Sequence, residues 1–531
     1  MARPKYAFHL FLFLLLFCPL AAFPQGPSGA WLNHGGDLFN RRFASKERKI
    51  SPETVHKLAL KWKFYTGDDV SATPAIFNGT IYFPSRNGNV YAVKEATGFL
   101  VWEQNVGNVT GFNATGLSAG ASFSRSTPTI VHDADLLITG VYGPAAVMAL
   151  RRSTGELMWL TRLDPHPAAV ITMSGTYYNG SFYVGVSSVE ETYSINKCCV
   201  FRGSLARLDA RSGHILWQTY MLPDNNNQRG DYSGAAIWGS SPSIDPLRNH
   251  VYVATGNLYS APDRIVQCRR RQLNRTVPIE PDPCIETENH SNSMLALDLD
   301  SGNITWYHQL GGYDVSSGDC LNASAAPPSC PPLGDDPDTD FAEAPMALTI
   351  SHANGTKQDI VVAVQKSGIA WALDRDNGNL VWSTKAGPGG AAGGGMWGSA
   401  TDEARVYTNI VNSDGKNFSL LPSKKTTRGS GWVAMDASNG KILWSTLDPQ
   451  NLTLGPVSVA NDVMFAGSAA PDGSIYGIHA KTGHILWSFE TNATVYGGVS
   501  INNGCIYVGH GYIVGLVPFF TKGTHVFAFC L

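Results

Sequence analysis

ALDRDNGNLVW, residues Ala372 to Trp382, is one of seven versions of a single phrase. The others are AVKEATGFLVW (Ala92 to Trp102), ALRRSTGELMW (Ala149 to Trp159), ARLDARSGHILW (Ala206 to Trp217), ALDLDSGNITW (Ala296 to Trp306), AMDASNGKILW (Ala434 to Trp444) and GIHAKTGHILW (Gly477 to Trp487). In every copy a Gly precedes a Trp by four residues. Repetition on this scale predicts an array of identical supersecondary units. Each phrase reads as strand, turn, strand: apolar positions alternate, the Thr/Ser/Asn-Gly pair supplies φ > 0, and alternation resumes before the Trp. A Trp at a fixed offset after a turn packs against the neighbouring unit, and its N–H needs a partner there.

Outward from the seven phrases lie two halves. Leu58 to Trp62 (LALKW) resembles the second strand alone, and His525 to Leu531 (HVFAFCL) resembles the first alone. Joined, they make an eighth unit. A propeller whose chain ends share one blade removes its exposed sheet edge, so the expected fold is all-β, an eight-bladed β-propeller over residues 23–531. The longest gaps between docking tryptophans, Trp217 to Trp306 and Trp306 to Trp382, mark insertions, which in repeat folds gather as loops on one face.

Composition agrees with one large β-rich body: 55 Gly, 11% aromatic and only 15% charged residues. A net charge of −3 gives no reason to expect a nucleic-acid partner. The one dense basic cluster, Arg269-Arg270-Arg271, reads as a solvated loop.

The N-terminus runs from Arg3 and Lys5 through the apolar Phe8–Cys18 to Ala21-Ala22, the order of a secretory signal cleaved near Ala22. Beyond it no segment is long and apolar enough to span a bilayer. Eight cysteines remain, and local pairing is expected for Cys268–Cys284, Cys320–Cys330 and Cys505–Cys530, the last pinning the shared blade. A dozen N-x-S/T sequons, among them Asn78, Asn179, Asn303 and Asn492, fit a glycosylated, extracellular protein on a eukaryotic secretory route. Cys198 and Cys199 either bond elsewhere, stand one buried and one free, or close a strained eight-membered ring with each other; local pairing of the other six favours the ring.

With these features the chain resembles the pyrroloquinoline-quinone-dependent alcohol dehydrogenases, eight-bladed quinoproteins, and most of all their polyvinyl alcohol dehydrogenase group, through Cys198-Cys199-Val200-Phe201-Arg202-Gly203-Ser204. The resemblance implies a pyrroloquinoline quinone (PQQ) stacked between a Cys198–Cys199 disulfide and Trp238. It implies Ca²⁺ held by Glu190, with Glu191 a close rival, and by Asn257. It also implies Lys366 near the quinone oxygens, and Arg202 and Trp397 as cofactor contacts or walls. A planar anionic quinone calls for stacking faces, a hard cation with oxygen ligands and fixed positive charge. Calcium would act as a Lewis acid on the quinone carbonyl that accepts hydride.

The chain departs from the family at the catalytic base. The position matching the family's Asp is Ser317, flanked by Asp314 and Asp319, with Asp340 further on; Asp314 is the expected general base. No CxxCH haem site occurs, so electrons from the alcohol substrate, small or polymeric, would pass to a separate acceptor. The competing expectation is a non-catalytic secreted propeller that binds glycan, polymer or protein. Cys198, Cys199, Glu190, Trp238, Asn257 and Lys366 together favour the enzyme.

Overall fold

The structure, a computed structural model, describes residues 29–112, 122–194, 196–272, 284, 286–318, 338–352, 354–513 and 519–531. The signal segment and the Cys320–Cys330 pair lie outside these. Seven antiparallel blades follow one another along the chain, from Ala75–Asn105 to Ser458–Glu490, and an eighth joins both chain ends. In that last blade the strands Ser500–Asn502, Cys505–Gly509 and His525–Cys530 are completed on the outside by Ala59–Tyr65. The half-phrases seen in the sequence are thus the two outer strands of one blade. The Cys505–Cys530 disulfide ties neighbouring strands in it.

Every blade ends the same way. One residue before each docking Trp the register slips, as between Ala372↔Trp382 and Leu373↔Leu380. The bulge twists the outer strand and directs the indole at the next blade. There the indole N–H donates to a backbone carbonyl: Trp102 to Arg152 at 3.0 Å, Trp306 to Arg375 at 3.1 Å, Trp444 to Ala480 at 2.9 Å. The phrase glycine is required twice over. Gly378 has φ +71, and a Cβ there would sit 2.5 Å from Cε3 of Trp306. Apolar cores form between blades; one gathers Tyr82, Val90 and Trp102 of the first with Ile130, Leu137 and Met148 of the second.

Residues 31–44 run inside the ring as a belt. Trp31 pairs with Ile76, and the carbonyls of Leu32, Leu38, Phe39, Arg41 and Arg42 accept from Ile130, Ile244, Ala347, Thr401 and Val459. Asn33 donates to Thr176 at 3.2 Å. The inner strands of seven blades therefore find main-chain or side-chain partners on one segment, which leaves few inner edges unpaired.

The reading of Arg269–Arg271 as loop is corrected: they form the last turn of a helix, Asp263–Gln272, tied by Cys268–Cys284. Cations there meet the negative end of the helix dipole. No helix among the described residues is long and apolar enough to cross a membrane.

Candidate functional site

In four-stranded antiparallel blades, the second-to-third connection and the link to the next blade emerge at one end. Glu190, Glu191, Cys198 and Cys199 follow strand Ser181–Ser188; Asn257 follows His250–Ala254; Lys366 follows Lys357–Val364. Trp238, residues 314–318 and 338–340, and Trp397 lie on links between blades. Residues from four blades thus converge on one face.

Cys198 and Cys199 are bonded to each other and buried, in one apolar cluster with Phe201 and Tyr259 against which Trp238 packs. The two neighbouring glutamates have different surroundings. Glu190 accepts from the N–H groups of Val200 (2.9 and 3.0 Å) and Phe201 (2.8 Å) and lies 3.3 Å from His166 Nε2. Its carboxylate thereby anchors the backbone just after the disulfide. Glu191 accepts from Asn257 Nδ2 and from Ser316 Oγ, both at 3.1 Å. The structure therefore sets Glu191, not Glu190, beside Asn257. Asn257 also donates to Ser316 and to the Leu258 carbonyl, which leaves its Oδ1 for another partner.

Lys366 forms ion pairs with Asp338 at 2.9 Å and Asp340 at 3.0 Å, and its Nζ lies 5.3 Å from the centre of the Trp238 ring. Trp238 in turn donates to both Asp340 oxygens at 3.0 and 3.1 Å. Burial works against the Lys366 charge, yet Asp338, Asp340 and Glu191 outweigh it and push the pKa well above that of a free lysine. Burial raises Asp338 and Glu191, with the Lys366 ammonium opposing it in each.

Asp314 stands otherwise. Its Oδ2 accepts from Thr339 N (2.8 Å), Thr339 Oγ1 (3.0 Å) and Asn292 Nδ2 (3.2 Å), and burial pushes its pKa up to about 6. Those bonds make it a bracket for the 338–340 segment, whereas Asp340 is the carboxylate that meets Trp238 and Lys366. Asp319 lies outside the described residues, and Ser317 is buried beside the cluster in sequence. The Arg202 guanidinium holds Asp224 at 3.0 Å and the Leu222 carbonyl at 3.2 Å and lies over Tyr220.

Trp397 meets Trp238 edge-on, with ring centres 4.9 Å apart, and lines an adjoining pocket. That pocket is also lined by Arg125, Thr172, Ser174, Ser240, Tyr496 and His34. Arg125 lies 4.4 Å over the Trp397 ring and has no carboxylate partner among the described residues. Sequence reasoning missed it, because a single Arg in SFSRSTPT carries no spacing signal. No group of three or more His, Cys, Asp or Glu arranged for a metal occurs among the described residues. The oxygen donors present are instead Glu191, Asp340, the Asn257 amide and Ser316.

The family profile for PQQ, described as glucose/ethanol/alcohol dehydrogenase β-propeller domain, matches residues 31–325. A second, described as outer membrane protein assembly factor BamB, matches 365–516. The chain is 29% identical over 518 residues to polyvinylalcohol dehydrogenase of a Pseudomonas species, covering 91% of this chain and 73% of that protein. Polyvinylalcohol dehydrogenase of Sphingopyxis sp. (strain 113P3) is likewise 29% identical, over 92% of this chain and 73% of its own length. Among solved structures, quinohemoprotein alcohol dehydrogenase from Comamonas testosteroni superposes with a TM-score of 0.69 at 18% identity, over 94% of this chain and 80% of that one. A europium-containing methanol dehydrogenase gives 0.68 at 16%, over 95% and 99%. At such identities the structural likeness speaks for the fold alone.

Proposed function

Because the chain belongs to the PQQ-dependent glucose/ethanol/alcohol dehydrogenase β-propeller family, we propose that its converging loops bind PQQ and Ca²⁺ and oxidise an alcohol. The observation that carries this reading is the buried meeting of Lys366, Asp340 and Trp238 next to the paired Cys198 and Cys199. Three carboxylates, Glu191, Asp338 and Asp340, act on one ammonium, an excess of buried negative charge that a hard cation would offset. The Arg125 guanidinium, over the Trp397 and Tyr512 rings, suits a carboxylate of an anionic ligand lying against Trp397.

When bound, the quinone supplies the two-electron hydride acceptor, and calcium polarises its carbonyl. Glu191 and Asn257 Oδ1 would hold the cation, with Asp340 at its edge. The Cys198–Cys199 pair and Trp238 would offer the flat faces. Asp340 takes the hydroxyl proton of the alcohol as hydride leaves the carbon, so the alcohol becomes a carbonyl compound with the loss of two electrons and two protons. Lys366, held cationic by its carboxylate neighbours, steadies negative charge on the oxygens beside it. Asp314 keeps Asp340 in place through Thr339. The electrons then pass to an acceptor.

The polyvinylalcohol dehydrogenases at 29% identity support a secondary alcohol as substrate, including one carried on a polymer. Cleavage near Ala22 and export to an oxidising compartment are part of the same proposal. The Cys268–Cys284 and Cys505–Cys530 disulfides support it. Purified protein reconstituted with PQQ and Ca²⁺ should reduce an artificial dye when given polyvinyl alcohol or small secondary alcohols. No dye reduction with any alcohol would refute the activity.

A further inference from the structure

The belt that fills the ring also reaches the pocket. His34, buried on that belt, has Nε2 2.7 Å from the backbone carbonyl of Trp397. A carbonyl only accepts, so the ring proton sits on Nε2, and Nδ1 is left facing Thr73 Oγ1 at 3.4 Å. Burial first and Arg42 second lower the imidazole pKa well below its usual value, which keeps the ring neutral. Arg42 fixes the belt in turn, donating to the carbonyls of His34 (2.5 Å) and Val457 (2.6 Å) and to Ser458 Oγ (2.9 Å).

The other end of the contact needs holding. Trp397 has φ +66, a conformation few side chains adopt, and it lies in the glycine-rich run GGGMWG. Glycines on either side give the segment little stiffness of its own. Two main-chain contacts fix the residue: its N–H donates to the Ala342 carbonyl at 3.1 Å, and its carbonyl accepts from His34. Its indole walls the pocket, carries Arg125 over one face and meets Trp238 edge-on.

We propose that His34 is a positioning residue: its Nε2–H bond to the Trp397 carbonyl sets the indole wall against which the quinone and Arg125 lie. The assignment rests on the proposed quinone site beside Trp238 extending into this adjoining pocket. Two amides of equal polarity separate the ring nitrogens. His34→Gln places an N–H where Nε2 was, and His34→Asn only where Nδ1 was. Full-length wild type and both variants are titrated with PQQ in Ca²⁺ by equilibrium dialysis, and the apo-proteins are melted in parallel.

The expected result is wild-type affinity within about threefold for His34→Gln and a loss of roughly tenfold or more for His34→Asn, with both apo-proteins melting alike. Wild-type affinity in His34→Asn, or equal losses in both, would overturn the proposal. Failure of either variant to fold would assign His34 to the scaffold and overturn it too. Wild type that takes up no PQQ would instead defeat the functional reading itself.

Discussion

Trp487 donates its indole N–H to the backbone carbonyl of Leu58 at 3.1 Å, joining residues 429 positions apart in the chain. It is one of the contacts between the seventh blade and the eighth, beside the Trp487–Phe529 and Phe489–Phe529 ring pairs, where the ring could otherwise open. Trp487→Phe keeps the ring stacking and removes the bond, and it is expected to lower stability by roughly 1–2 kcal/mol. Amide exchange in Ala59–Tyr65 should rise before that of other strands. Uniform exchange across all blades would show that the closure is not the weak seam.

The docking glycines make a sharper test. Gly378→Ala forces a side chain into φ +71 and against Trp306 Cε3. Strain and overlap together are expected to cost roughly 2 kcal/mol or more. Gly79→Ala, at the same sign of φ but with nothing within 4 Å, should cost less. Equal losses of melting temperature would leave the indole contact without weight.

Burial pushes the Glu343 carboxyl up to about 7, against hydrogen bonds from Val364 N and Ser399. A folded-state pKa above the unfolded one means stability is complete below pH 4.5 and is lost as pH rises towards 7. The loss from this group is about 3 kcal/mol. Glu343→Gln should remove that slope, so its stability relative to wild type climbs across the window. Parallel stability curves would contradict the assignment.

Asp340 and Asp314 are predicted to separate in kinetics. Asp340→Asn should lower kcat roughly a hundredfold or more, because it removes the proton acceptor beside Lys366. Asp314→Asn retains an oxygen for Thr339 and should stay within about tenfold of wild type. The reverse order would return the base to Asp314.

Repeat and closure were legible because each blade needs the same Gly and Trp for the same local reasons, and because each half-phrase kept half of those reasons. Cys198 and Cys199, Trp238, Asn257 and Lys366 were singled out through short motifs, and the fold brings them to one face. Glu190 and Glu191 were not separable by eye. They are adjacent in a single 3₁₀ turn, and one step along it decides which carboxylate meets Asn257 and which the Val200 amide. Asp340 was seen only as a neighbour of Asp314, since its contacts with Trp238 and Lys366 join separate blades. Arg125 and His34 had no local signal at all. Their surroundings exist only once the ring has closed.

A crystal structure of the protein grown with PQQ and Ca²⁺ is the most direct test of the central claim. One quinone per chain, lying between the Cys198–Cys199 bond and Trp238 with Arg125 on a ring carboxylate and Glu191 on the metal, is the expected result. Crystals in which the space between the Cys198–Cys199 bond and Trp238 stays free of quinone at saturating concentration, or that carry it only on the outer surface, would contradict it.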